Sequence, residues 1–154
     1  NKGVSGPEAV EAGKRVVAAG MKLSIMIILG LAGADGSDRH ARETAKAINE
    51  IKPNMLSAIT LMLYRGSELL DQYERGEFAP LNPQGIMLEL HKIISLVELP
   101  PESHCLFRSN HVSNYVQLAA TLPKEKDRLL QQIALAADEL GKWKNWDVYN
   151  NNRY

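Results

Sequence analysis

From Leu23 to Leu29 every position but Ser24 is apolar, and the run breaks at Gly30-Leu31-Ala32-Gly33-Ala34-Asp35-Gly36-Ser37. A short, non-alternating apolar run predicts a strand over 22–29. Being apolar on both faces, it predicts a central strand of a parallel sheet covered by helices. In α/β proteins the glycine-rich segment after such a strand lies where ligands bind.

The flanking patterns are helical. Ser5 followed by Glu8 forms a capping box, and Pro7 lies in the first turn, where its missing N–H costs nothing. Val10, Gly13, Val16 and Val17 then share one face of a helix over 6–19, which Gly20 ends in a left-handed cap. Ala41, Thr44, Ala45, Ile48 and Ile51 predict a second helix over 37–51, stopped by Pro53. Met55 to Tyr64 reads as another strand, and a short helix over 67–75 follows.

Asn82 caps a helix beginning at Pro83, with the stripe Ile86, Leu90, Ile93, Ile94 and Val97 before Pro100-Pro101. Cys105 to Arg108 is a third extended segment, delivering Ser109-Asn110-His111-Val112-Ser113-Asn114 at its C-terminal end. A last helix over 123–141 carries Leu129, Leu130, Ile133, Ala137 and Leu140. The tail from Lys142 to Tyr154 is expected to be poorly structured, with Trp143 and Trp146 packing on the last helix. The alternation predicts an α/β fold with three parallel strands and right-handed crossovers. Two edges of so small a sheet stay unpaired, so neighbouring strands are expected from elsewhere in a longer protein or from another chain, and self-association through the edges is open.

The 154 residues suffice for one domain, and 18 basic residues balance 18 acidic ones, which gives no electrostatic case for nucleic acid or an anionic membrane. Cys105 is the single cysteine. It excludes an internal disulfide and any multi-cysteine metal site built from this chain alone, so no metal ligands are assigned, and a reducing, cytoplasmic setting fits. No apolar run approaches the roughly 20 residues that span a bilayer, and no signal-peptide pattern opens the chain. The absence of an initiator Met suggests a piece of a longer protein.

The Gly30-to-Ser37 loop reads either as an anion cradle ahead of a helix N-terminus or as a strand-to-helix turn needing positive φ, and it lacks the Gly-Lys-Ser/Thr ending of a nucleotide loop. His111, at the end of a strand among hydrogen-bonding side chains, is a candidate for substrate contact; the other reading is a polar loop that caps a helix. Arg65 and Arg108 suit a carboxylate or phosphate, or else salt bridges. His40 reads as an exposed first-turn residue, His91 among Glu89 and Lys92 as solvated surface, and Cys105 as a buried structural thiol with His104 on the opposite face. Lys124-Glu125-Lys126-Asp127-Arg128 reads as a solvated face.

A helix ending in Ala-Gly, a strand, Gly30-Leu31-Ala32-Gly33, a helix with His40 and Thr44, Ile51-Lys52-Pro53-Asn54, and a strand closing in Tyr64-Arg65-Gly66-Ser67-Glu68-Leu69 together resemble the C-terminal half of a radical S-adenosylmethionine enzyme. The resemblance covers about Lys2 to Glu77. It extends through Arg108-Ser109-Asn110-His111 and Ser113-Asn114, which are similar to a segment of members described as iron-sulfur oxidoreductases.

It implies the later βα units of a partial, TIM-like (β/α) barrel over 1–98, with a C-terminal strand and helical extension over 99–154 in the same compact unit. It also implies S-adenosylmethionine and a [4Fe-4S] cluster in the whole protein, with reductive cleavage of the former and hydrogen abstraction from an unidentified small-molecule substrate. By the same resemblance Ile28, Gly30, Leu63 and Tyr64 are cofactor-binding positions. Arg108, Asn110 and His111 are substrate-contact positions; no catalytic residue is assigned.

Three features depart from the family. Met26 and Gly33 stand where its fifth-strand motif has glycine and glutamate, and both CxxxCxxC and the Gly-Gly-Glu segment are missing. With one thiolate the chain is expected to hold no cluster and to be inactive alone. The alternatives are a phosphate-binding (β/α) barrel enzyme and a non-catalytic α/β interaction module.

Overall fold

The computed structural model describes residues 3–144 and 146–148. The elements in chain order are α1 (Gly6–Ala18), β1 (Ser24–Leu29), α2 (Gly33–Ile51), β2 (Met55–Thr60), α3 (Glu68–Glu74), α4 (Pro83–Leu96), β3 (Cys105–Ser109), β4 (Leu118–Leu122) and α5 (Lys126–Leu140). The strands form one sheet in the order β1-β2-β3-β4, parallel from β1 to β3 and antiparallel between β3 and β4. This is an α/β protein with an open, mostly parallel sheet.

Local chemistry sets most boundaries. Ser5 and Glu8 close their capping box at α1, Asn82 accepts the Gly85 N–H at 2.7 Å to start α4, and Gly20 (φ 76°) leads the chain out of α1. Helix α2 starts earlier than predicted, at Gly33 rather than Ser37, because positive-φ Gly30 and Gly33 complete the turn within three residues and the Ala34 N–H bonds the Ala79 carbonyl at 2.7 Å. Strand β2 stops at Thr60, short of Tyr64: its neighbour β1 has ended at Leu29, and the Thr60 N–H turns to the Ser113 hydroxyl instead.

Helices α1, α2, α4 and α5 pack side by side in that order along one side of the sheet, and α3 packs apart from them, its Leu70 buried with Leu63 and Val148. Ile27, Leu29, Leu56, Ala58, Cys105, Phe107, Ala120 and Leu122 face them and share one core with Ile48, Leu90, Ile93, Leu129 and Ile133. The other side of the sheet is uncovered. Met26 is 64 % exposed there, and Ser24, Met55, Leu106, Arg108 and Ala119 are exposed beside it. The expectation of a central strand covered on both faces is therefore corrected, since β1 is an edge strand with helices over a single face. An apolar run shows that a strand can be buried on both faces; it does not supply the second layer.

Strand β4 is an addition to the predicted order. Its small, alternating residues Leu118-Ala119-Ala120-Thr121-Leu122 pair along β3 with Leu118, Ala120 and Leu122 turned inward. The tail also differs. Trp146 Nε1 donates to the Tyr115 hydroxyl at 3.1 Å, Trp143 stands edge-on to the Tyr115 ring, and Val148 is buried with Leu63 and Leu70, so these residues cross the C-terminal end of the sheet rather than lying on α5. The three consecutive asparagines and the end of the tail lie outside the described residues. At the opposite flank α1 packs on α2 through Gly13, where an added Cβ would sit 3.0 Å from Ile51. No helix among the described residues is long and apolar enough to cross a membrane.

Candidate functional site

The loop after β3 is pinned to the end of β2. Asn114 Nδ2 donates to the Ala58 carbonyl at 2.8 Å and to Ser109 Oγ at 3.0 Å, while its Oδ1 accepts from Thr60 Oγ1 at 3.1 Å. Ser113 Oγ accepts the Thr60 N–H at 3.1 Å. His111 Nδ1 accepts the Ser113 N–H at 3.2 Å and lies 2.9 Å from Ser113 Oγ. With Nδ1 accepting, a neutral His111 carries its proton on Nε2, outside this network. The same bonds tie the Ser113 hydroxyl into the loop.

This loop, the end of β2 and the uncovered face of the sheet enclose a depression of about 160 Å³. Ile28 and Ile59, register partners on β1 and β2, form its apolar wall, and Tyr64, His111 and Ser113 line its rim. Ile28, Tyr64 and His111, singled out in sequence, thus meet in one place. Arg108 lies on the same open face and Asn110 is exposed at the start of the loop.

Gly30 and Leu63 do not join the depression. They line a narrow cavity of about 20 Å³ alongside Trp146 and Val148, and the Leu63 side chain is buried in the cluster with Leu70. Gly30 is a backbone requirement: it has φ 79°, and a Cβ there would come 2.8 Å from Ile86 Cδ1. Gly33 (φ 66°) is equally confined, because its added Cβ would sit 2.9 Å from the Ala79 carbonyl oxygen.

The glycine-rich loop does cradle an anion, and the anion is the chain's own. Glu89 Oε1 accepts the Gly30 N–H at 2.9 Å and a bond from His40 Nδ1 at 2.9 Å, while Oε2 accepts the Ser37 hydroxyl. The carboxylate has no exposed surface and the His40 side chain is 18 % exposed. Burial pushes the Glu89 carboxyl up, but the bonds from His40, Ser37 and the Gly30 amide outweigh it and hold it below the usual carboxylate range. The sequence expectation for His40 is corrected: it is a partly buried hydrogen-bond partner of Glu89 in the interior of α2, and Glu89, read only as a neighbour of His91, belongs to the buried face of α4. The signal was available, since Glu89 falls three residues after Ile86 and four before Ile93, inside the apolar stripe.

Cys105 is fully buried on the helix-covered face, and burial pushes its thiol up to about 11. Among the described residues no three of His, Cys, Asp or Glu come together as a metal set. Compared with known proteins, the chain matches no family profile and no curated protein. What the geometry offers is an apolar wall with the Tyr64, His111 and Ser113 side chains along its rim.

Proposed function

We propose that the chain supplies the later βα units of a radical S-adenosylmethionine enzyme, with Ile28, Ile59 and Tyr64 forming part of the wall against which the adenosyl group lies. One observation carries this reading. Helices cover a single face of a sheet with three sequential parallel strands, and an apolar opposite face leads up to a depression at the strands' C-terminal ends. In a (β/α) barrel the same arrangement places helices outside, a side-chain-lined wall inside and the ligand at the C-terminal rim.

Helix α1 fits this reading. It continues the helix layer on the β1 side of α2, where the crossover helix of a further parallel strand would lie.

The residues present fit S-adenosylmethionine as a partial site and do not fit the iron-sulfur cluster. Cys105 is a single thiol, buried and turned toward the helices, so the cluster's ligands must come from outside this sequence. When bound in the complete enzyme, cluster and S-adenosylmethionine supply reductive sulfonium cleavage ahead of hydrogen abstraction from substrate. This chain's own residues would exclude water from the adenosyl group and orient it. The phosphate-binding alternative is less well supported, because the Gly30 N–H that would meet a phosphate is held by Glu89.

Reading the coding sequence upstream of Asn1 tests the class. CxxxCxxC about a hundred residues or more before it is expected for a barrel of ~200 residues or more, and its absence would end the proposal. Calorimetry of this chain with S-adenosylmethionine should show only weak binding; a low-micromolar site would contradict the need for further strands.

A further inference from the structure

On the uncovered face Met26, Ser57, Arg108 and Ala119 are register partners in one row across the four strands. The row toward the strands' N-terminal ends holds Ser24, Met55, Leu106 and Thr121, and the row toward their C-terminal ends begins with Ile28 and Ile59. Arg108 is therefore the single ionisable side chain that the strands turn to this face. Its guanidinium donates from Nη1 to the Phe107 carbonyl at 2.8 Å and has no carboxylate partner among the described residues.

The loops at the ligand end are equally one-sided. Residues 30–32, 61–66 and 110–117 contain no Asp or Glu and contribute Arg65 and His111, while the tail segment crossing this end brings Asp147. A guanidinium with no carboxylate partner beside an apolar wall is available to an anion.

We propose that Arg108 anchors a carboxylate of the ligand held on this face, with the ligand's apolar body against Ile28 and Ile59 and the His111 Nε2–H as a second donor. The inference rests on the proposed ligand site and names the chemical class it takes. A carboxylate suits the site better than a phosphate dianion. One guanidinium matches a single negative charge, and the glycine-loop amide that would help with a second is committed to Glu89. The carboxylate has two possible sources, the amino-acid end of S-adenosylmethionine or a separate substrate.

The test is an NMR titration of the ¹⁵N-labelled chain with benzoate, using benzamide as the uncharged control. Benzoate should give saturable shifts at Ser57 and Arg108, weakened at least about tenfold by Arg108→Gln and unchanged by Arg65→Gln. Absence of benzoate shifts, equal shifts with benzamide, or shifts that survive Arg108→Gln overturn the proposal. S-adenosylmethionine perturbing Arg108 where 5′-methylthioadenosine does not would assign the carboxylate to the cofactor's tail. Benzoate acting with S-adenosylmethionine at saturation would assign it to a substrate. A chain that takes benzoate through Arg108 but comes from a gene without the cysteine motif would keep the anion site and lose the enzyme class.

Discussion

Glu89 on α4 accepts the backbone N–H of Gly30 at 2.9 Å across 59 residues of sequence. That bond joins the C-terminal end of β1 to a helix that also packs on α2 and α5, so this end of the sheet is fastened from behind by a buried carboxylate. Replacing Glu89 with Ala strands the Gly30 amide, the Ser37 hydroxyl and the His40 ring without their acceptor. The expected loss is about 3 kcal/mol in urea unfolding, with Glu89→Gln losing less because it keeps one acceptor oxygen. An Ala variant as stable as the parent would show that the bonds contribute nothing net.

The same carboxyl sets a pH dependence. Its folded-state pKa is lowered, so the unfolded chain binds the proton more readily. The stability it contributes is fully present above the unfolded value of about 4.3 and is lost as pH falls through the lower folded value. Urea midpoints measured from pH 7 down to pH 3 should therefore fall more for the parent than for Glu89→Gln. Parallel curves would remove Glu89 from the acid transition.

Gly30→Ala carries two separable costs, a positive φ and a 2.8 Å approach to Ile86 Cδ1. The single variant should lose about 2 kcal/mol or more, of which about 1–2 kcal/mol is backbone. Adding Ile86→Val removes the clashing methyl, so the double variant should be less destabilised than the sum of the two singles. Simple additivity in a thermal-unfolding cycle would show that the loop shifts to admit the methyl group.

The Cys105 thiol, buried and raised to about 11, should resist a disulfide reagent at pH 8 in the native chain. Its labelling rate should rise with urea in step with unfolding. Fast native labelling would place the thiol outside the core.

Much of the frame is legible where backbone chemistry is local. Ser5 with Glu8, Asn82 with Pro83, and Gly20 mark helix ends through bonds a few residues long, and the structure has them there. Long-range facts were less accessible. Met26 and Ile27 are equally apolar, yet one faces open space and the other the core, because only the sheet's surroundings decide it. Strand β4 was hidden by its small residues and by the polar cluster before it. At the site, Ile28, Tyr64 and His111 line one depression, whereas Leu63 turns to the opposite side of residues 60–62 because the chain has already left the ladder at Thr60.

The Gly13–Ile51 contact bears on how this molecule comes apart. Gly13 is the one residue of α1 that is buried, so the helix adheres to α2 through a patch with almost no apolar depth. A segment held in this way opens as its own cooperative unit, ahead of the sheet. Its amides should exchange with deuterium while those of β2 and α4 are still closed, and a protease should meet its first cut site there.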